Sequence, residues 1–430
     1  MKILELEAGQ RLEAEELGRS LAASSEIEAT AARIIAAVRE RGDAALQEYT
    51  RQFDGEKASV RLVMDREFEM ATARLAKPLT EALKAAGRSI NDFHMRQKTQ
   101  SWFVTRPDGA LVGSRVSPLS SVGIYVPGGR ASYPTSVLMN ALPARVAGVE
   151  RIVMVTPPQA DGSVNPAVLV AARLAGVSEV YTVGGAQAIA ALAYGTESIS
   201  PVDKIVGPGN AYVAAAKRLV AGDVGIDMVA GPSEACILAD ETADSDLIAI
   251  DLLAQAEHDP DARTYLVTTD EELVDEVIER VEFYLARTAR LEVSKAAIDN
   301  NCLILVCDDL PAAITAVNQI APEHLEVHMD QPLELLGMIE NAGAIFLGPW
   351  TPISVGDYLA GPNHTLPTGG TARWASPLSV DDFVKRSSVI SYSYAALSND
   401  APTIKLLADA EGLWAHGRSV EMRFEDEASE

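Results

Sequence analysis

Cysteine is scarce. Three in 430 residues are too few for a disulfide scaffold and fit a reducing compartment. Aromatic residues make up only 5%, so a core has to come mainly from Ala, Val, Leu and Ile. Long apolar runs are also missing: no stretch approaches the roughly 18 uninterrupted apolar residues of a membrane span. Positive charge is in deficit, with 36 Lys and Arg against 61 Asp and Glu and a formal charge of −25. That balance argues against nucleic acid or an anionic membrane as a partner and reads as a solvated surface. The start, Met1-Lys2-Ile3-Leu4-Glu5-Leu6-Glu7, carries acids where a secretory signal would need an apolar run. A cytoplasmic location is expected. Internal repeats and low-complexity tracts are absent too.

What is present reads as α/β. The length suggests two to four domains at roughly 150 residues each. Residues 26–40 place Ile27, Ala31, Ile34, Ile35 and Val38 on one helical face, and 79–95 is a second such stretch. The first 115 residues therefore read as mainly helical. Beyond residue 116, short apolar runs at 121–126, 151–155 and 179–183 alternate with Ala-rich helical stretches at 135–146, 166–175 and 186–194. A second set of runs follows at 236–238, 264–267, 302–306 and 344–347, with helices at 246–257, 271–288 and 311–319. Nearly continuous apolar strands spaced by helices mark parallel sheets buried on both faces, so two α/β units are expected. From about 380 onward the chain reads as polar and helical.

Ligands of open α/β sheets bind at the carboxyl ends of strands, which directs attention to the Gly-rich turns after Val126, Val183 and Val206. Each turn precedes a helix N-terminus that favours anionic groups. None matches G-x-G-x-x-G; Gly207-Pro208-Gly209-Asn210-Ala211-Tyr212 has Tyr in place of the third glycine. Tight turns without a ligand would look the same.

The six histidines are few enough to take singly. Gln255 and His258 lie three apart at the end of a helix that Pro260 stops, so both side chains point one way. Glu323-His324 follows the helix-breaking Pro322, on a loop leading into a short strand. An adjacent carboxylate and imidazole suit proton transfer near neutral pH, although a surface pair of no consequence has the same sequence. Residues 354–370 form a long Gly/Pro-rich loop carrying Asp357 and His364, and such loops are often functional. His416 stands near Trp414 in a terminal helix that could simply dock on a neighbour. His94 reads as a helix-surface residue and His328 as a strand end. Cys302 and Cys307 bracket an apolar strand and read as packing residues. Cys236 is a minor candidate for a thioester-forming nucleophile.

Eight runs in series give these pieces a family. YVPGGRASYPTSVLMNALPARVAGV, VGGAQAIAALAYGT, KIVGPGNAYVAAAK, AGPSE, AQAEHDP, APEHLEV, GDYLAGPNHTLPTGGTAR and EGLWAHGRS together resemble histidinol dehydrogenase, from about residue 20 to 423. The resemblance implies a four-electron oxidation of L-histidinol to L-histidine with two NAD⁺, at the end of histidine biosynthesis. It implies one zinc per site, with Gln255, His258 and Asp357 as ligands and His416 reaching in from the other subunit of a homodimer. His324 would be the general base and Glu323 would activate water. Ser233, His364 and Glu411 match histidinol contacts; Tyr125, Gln187 and Asn210 match NAD contacts, on or beside the three turns picked out above.

The implied fold is a pair of incomplete Rossmann-like α/β domains. An NAD domain at 125–234 would be inserted into a larger α/β domain made of 21–124 and 235–377. An N-terminal segment, 1–20, and a helical C-terminal arm, 378–430, would serve the dimer. Cys236 departs from the family's more usual aliphatic residue, and a packing change is expected there. Three other readings compete: a zinc- and NAD-dependent dehydrogenase of a sulfonated diol, a zinc hydrolase, and a non-catalytic metabolite-binding protein. His364 and Glu411 favour histidinol over the first, the Gly-rich turns disfavour the second, and the third would not need His324.

Overall fold

Short runs of β-branched and small apolar residues, each closed by a glycine or a capped helix, settle into two parallel sheets. The structure, a computed structural model, describes residues 1–7, 9–13, 16–17, 25–128 and 132–425. Gly129 of the first Gly-rich turn, part of the N-terminal segment and the tail from 426 lie outside the described residues. Two compact units emerge: 1–97 with 119–383, and 98–118 with 384–430.

Both sheets belong to the first unit. One has five parallel strands in the order Glu179–Thr182, Arg151–Thr156, Ser121–Tyr125, Lys204–Val206, Gly225–Ile226. The other has six, in the order Lys2–Leu6, Cys302–Cys307, Arg263–Thr268, Glu234–Ala239, His324–His328, Ala344–Leu347. In each, the first strand of the α/β unit sits centrally, its second and third strands extend to one side and its fourth and fifth to the other. That is the order of an incomplete doubly wound fold, with a switch point between first and fourth strands. Lys2–Leu6 adds an edge strand to the larger sheet.

Side-chain caps start the connecting helices. Asn165, Asn210, Asp244, Asp270 and Asp309 each accept a hydrogen bond from a first-turn N–H, satisfying donors that would otherwise be orphaned. The helices within 21–124 were expected with the larger domain. One of them, Ser25–Arg41, has its apolar stripe, Ala31, Ile34, Ile35 and Val38, in one core with Ile189, Val213 and Ile205 around the five-stranded sheet. Among the described residues, no helix is long and apolar enough to cross a membrane.

The second unit holds a three-stranded antiparallel sheet, Val384–Ser391, Leu111–Pro118 and Trp102–Thr105, with helices Tyr394–Ala410 and Trp414–Glu421. Two expectations change here. Residues 102–118 are a hairpin rather than helix, and the chain beyond 380 contributes a strand before its helices. Both strands are exposed and carry no alternating buried face that would have marked them in the sequence.

His94 is not on the surface. It continues the buried stripe Leu83, Ala86, Ile90 of the helix Lys77–Met95 and is fully buried. Its Nδ1–H donates to the Ile90 carbonyl at 2.7 Å, so Nε2 is left to accept from Asn363 Nδ2 at 3.5 Å. Burial lowers its pKa from the usual 6.5. The folded state therefore holds His94 neutral, while the unfolded chain takes up a proton as pH falls through 6.5. Stability contributed above that pH is lost below it, at up to about 1.4 kcal/mol per pH unit for one proton. Melting temperatures of the native chain and His94→Gln measured from neutral to mildly acidic pH should show a shallower acid decline in the variant. Equal slopes would contradict the assignment.

Candidate active site

The helix Leu310–Ile320 ends at Ala321, whose φ of 44° is left-handed although it carries a Cβ. Such a turn is strained for a non-glycine residue. It throws the chain through Pro322 directly into Glu323 and the strand His324–His328. Both site residues are buried, at 6% and 5% exposure. They stand at the amino end of their strand, not at the carboxyl edge where α/β ligands are usually sought.

One neighbouring residue holds the pair. The Glu234 N–H donates to Glu323 Oε2 at 2.8 Å, and the Glu234 carbonyl accepts from His324 Nδ1–H at 3.1 Å. A carbonyl only accepts, so the proton of the neutral imidazole is on Nδ1 and the Nε2 lone pair is open. Nε2 is buried without a hydrogen-bond partner and lies 3.9 Å from Asp357 Oδ1. Burial, with His258 and His364 nearby, pushes the His324 pKa down to about 4. Burial also holds Glu323 well above the ordinary carboxyl range, and the Glu234 and Asp357 carboxylates add to that effect. The imidazole is thus a neutral acceptor at physiological pH, beside a carboxyl with raised proton affinity. Glu234 itself is fully buried; its side chain accepts from the Gly369 N–H at 3.1 Å and lies 3.3 Å from Arg263 Nη1.

The loop at 354–370 contains a short helix, Ile353–Tyr358, which presents Asp357. The Asp357 carbonyl accepts from His364 Nδ1–H at 3.1 Å, leaving His364 Nε2 to accept from the Ser136 hydroxyl at 3.2 Å. Burial lowers His364 to about 4 and raises Asp357 to about 6. Gln255 is buried in the last turn of the helix Ser245–Ala256, while the His258 side chain beyond it is exposed. The surrounding protein and Arg290 lower His258, against Glu257. Ser233 immediately precedes Glu234 and is partly exposed. Glu411 and His416 belong to the second unit, both exposed, at the end of Tyr394–Ala410 and in Trp414–Glu421.

The Gly-rich turns lie at the carboxyl ends of the five-stranded sheet. Tyr125 is buried, with its hydroxyl accepting from the Gly185 N–H at 3.1 Å and its pKa raised by burial to about 12. Gln187 is fully buried, and among the described residues neither end of its amide has a partner. Asn210 Oδ1 caps the helix Ala211–Val220 through Tyr212 and Val213. A buried ion pair of Lys217 with Asp227 pins the third turn: Lys217 Nζ donates to the Gly207 carbonyl at 3.0 Å and the Gly207 N–H donates to Asp227 Oδ2 at 2.8 Å. Gly207 has φ of +107°, and a Cβ there would collide with the Tyr125 carbonyl.

A family model described as histidinol dehydrogenase matches residues 17–424. The histidinol dehydrogenases of Halalkalibacterium halodurans and Geobacillus kaustophilus are each 54% identical to it, over 92% and 91% of this chain and 93% and 92% of theirs. A solved histidinol dehydrogenase from Elizabethkingia anophelis, 36% identical, aligns over 100% of this chain and 99% of its own with a TM-score of 0.92. The chain belongs to the histidinol dehydrogenase family. It is accordingly an NAD-dependent oxidoreductase with an α/β fold.

Of the residues that the family resemblance singled out, Glu323, His324, Asp357 and His364 meet in one cluster, and His258 is near enough to influence both imidazoles. Cys236 is fully buried within the core of the larger sheet, as packing requires. Sequence reasoning missed Glu234 and Ser136. The AGPSE run contained the first, but its contribution is made by main-chain groups that any residue type possesses. Among the described residues, the His/Cys/Asp/Glu groups whose ligand atoms fall within 4.8 Å of one another are Asp251, Glu326 and His328, none of them foreseen as ligands.

A glycine sets the tolerance of this site. The Gly343 N–H donates to the Pro322 carbonyl at 2.9 Å, and a Cβ at Gly343 would lie 2.5 Å from the Glu323 carbonyl oxygen and 3.2 Å from Pro367 Cδ. Gly343→Ala should displace the start of the His324 strand, costing about 1–3 kcal/mol of stability and about tenfold or more in kcat. Thermal melting with steady-state kinetics checks this; unchanged kcat would show that the Glu323–His324 backbone has room to move.

Proposed function

We propose that this chain performs its family's reaction, the four-electron oxidation of L-histidinol through L-histidinal to L-histidine with two NAD⁺, in the last steps of histidine biosynthesis. The observation that carries the reading is the His324 imidazole: neutral, fixed in one tautomer by the Glu234 carbonyl, with a buried and unpartnered Nε2.

His324 Nε2 takes the hydroxyl proton as the alcohol carbon gives up its hydride. Water then adds to the aldehyde with Glu323 as base. In its ionised form Glu323, whose proton affinity burial raises, takes the proton of that water. The resulting gem-diol loses the second hydride. Ser233 and His364 hold histidinol, with His364 locked by Ser136 on one side and the Asp357 carbonyl on the other; Glu411 completes the set.

Gln255, His258 and Asp357 are the residues to hold one zinc, with His416 supplied by the other subunit of a homodimer. The donor set fits. The Asp357 carboxylate stands beside two imidazoles that burial keeps neutral, so no nearby cation balances it. Imidazole, carboxylate and amide oxygen are acceptable ligands for Zn²⁺. When bound, zinc orients the imidazole and amino nitrogens of the substrate. NAD⁺ is assigned to residues 125–234, at Tyr125, Gln187 and Asn210, and the partnerless buried amide of Gln187 fits a ligand there. When bound, NAD⁺ accepts one hydride in each half-reaction.

Residues 21–124 and 235–377 are assigned to zinc and substrate, and 1–20 and 378–430 to pairing of subunits. The second unit supports a homodimer through large apolar side chains left in water: Phe103, Ile390, Leu406 and Trp414 are all at least 49% exposed. A cytoplasmic setting goes with a biosynthetic step of this kind.

Counting NADH released per histidinol by absorbance, with zinc present, tests the reaction. Two NADH per substrate is expected; one would mean a dehydrogenase that stops at the aldehyde. His324→Asn should lower kcat by about 10²–10⁴ while zinc content stays the same. Near-normal turnover would remove His324 from its role.

A further inference from the structure

The strand His324–His328 has two faces. Leu325 and Val327 enter one apolar core, so by alternation His324, Glu326 and His328 share the other. Asp251 reaches that face from the helix Ser245–Ala256, whose apolar side packs on the same sheet with Ile237 and Leu266. His328 Nε2 lies 3.3 Å from Glu326 Oε2 and 3.9 Å from Asp251 Oδ2, and the side chains of His328, Glu326 and Asp251 are 3%, 1% and 14% exposed. Glu326 Oε1 is taken by the Ile353 N–H at 2.7 Å. Glu326 Oε2 and both His328 nitrogens are buried and, among the described residues, have no hydrogen-bond partner.

Two carboxylates and an imidazole thus converge beneath the surface. Among the described residues, no Lys or Arg lies within 4 Å of either carboxylate; the ion-pairing contacts of both are to His328 alone. Partnerless buried polar groups and unpaired buried charges are costly, and one occupant relieves both. We propose that Asp251, Glu326 and His328 form a divalent-cation site of the zinc type, separate from the Gln255, His258 and Asp357 set and independent of it.

One nitrogen and two carboxylate oxygens match the borderline-to-hard preference of Zn²⁺ or Mn²⁺. At metal–ligand distances of about 2.0–2.1 Å, adjacent corners of a tetrahedron are about 3.3–3.4 Å apart. The His328–Glu326 separation already has that value, and Asp251 needs only a small rotation to close. The location also suits a ligand, since the strands Glu234–Ala239 and His324–His328 flank the switch point of the larger sheet. The ion's role is structural. It ties the helix that carries Gln255, one turn from Asp251, to the strand that carries His324.

The test is the zinc stoichiometry of the untagged full chain, stripped with chelator, dialysed against Zn²⁺ and measured by elemental analysis. Two ions per chain are expected in the native protein and one in either His328→Leu or Asp251→Asn, with circular dichroism confirming that the variants fold. His258→Ala should also retain one ion, which His328→Leu added to it then removes. If His328→Leu and Asp251→Asn both bind as much zinc as the native chain, a shared proton rather than a metal occupies the triad and the proposal falls. If His258→Ala binds as much as the native chain while His328→Leu binds less, the triad stands and the zinc assignment to His258 fails instead.

Discussion

The site depends on the main chain of a single residue. Glu234 opens the central strand of the larger sheet, and its N–H and carbonyl are both turned to the neighbouring strand's first residues, Glu323 and His324. Neither interaction depends on side-chain rotamers at position 234, which makes the arrangement stiff. The fully buried Glu234 carboxylate fixes that backbone in turn, through the Gly369 N–H and Arg263. Register in the sheet and the protonation state of the Glu323–His324 pair are therefore one constraint. A shift of either strand would release the tautomer of His324 together with the ladder.

The electrostatics follow from how little countercharge enters this region. His324 and His364 are neutral because burial, with His258 nearby, disfavours the cation, while Glu323 and Asp357 are raised because burial disfavours the anion. Acids pushed up and bases pushed down bring both kinds of group toward neutral forms that exchange protons readily. Elsewhere the same sheets bury charge with a partner, as Lys217 and Asp227 do at the third Gly-rich turn. The contrast separates a pair that braces a loop from a cluster of groups without countercharge.

Much of this was legible in the sequence. The strand runs, the capped helices and the three turns announced two parallel sheets, and Pro322 correctly placed Glu323-His324 at the entry to a strand. The insertion of one sheet's chain within the other's was carried by family resemblance, because periodicity identifies elements and not their partners. His94 lies in the core although its polarity points to the surface; its stripe with Leu83, Ala86 and Ile90 has the helical spacing that marks the buried face. The hairpin at 102–118 was hidden for a different reason. Its first strand is exposed on both faces and its second is half-buried on both, so no apolar alternation records it. Glu234 was out of reach, since a backbone donor and acceptor leave no mark in side-chain chemistry.

The Gly-rich turns lie at the carboxyl edge of one sheet, whereas Glu323 and His324 lie at the amino edge of the other, and the two placements have one cause. Ser136 lies in the first turn of the helix Pro134–Ala147, which leaves the carboxyl edge of the five-stranded sheet. Its hydroxyl reaches His364, His364 reaches the Asp357 carbonyl, and the Asp357 carboxylate stands 3.9 Å from His324 at the amino edge of the larger sheet. Opposite edges of the two sheets are thus joined by a chain of four residues. A hydride acceptor bound at a carboxyl edge needs the substrate's carbon in front of it and a base beyond, and that base has to come from another element. An amino edge provides the starts of two adjacent strands, where Glu234 and His324 meet within one hydrogen bond. The carboxyl-end rule describes where a nucleotide lies; it leaves the position of its reaction partner to whatever second sheet the fold supplies.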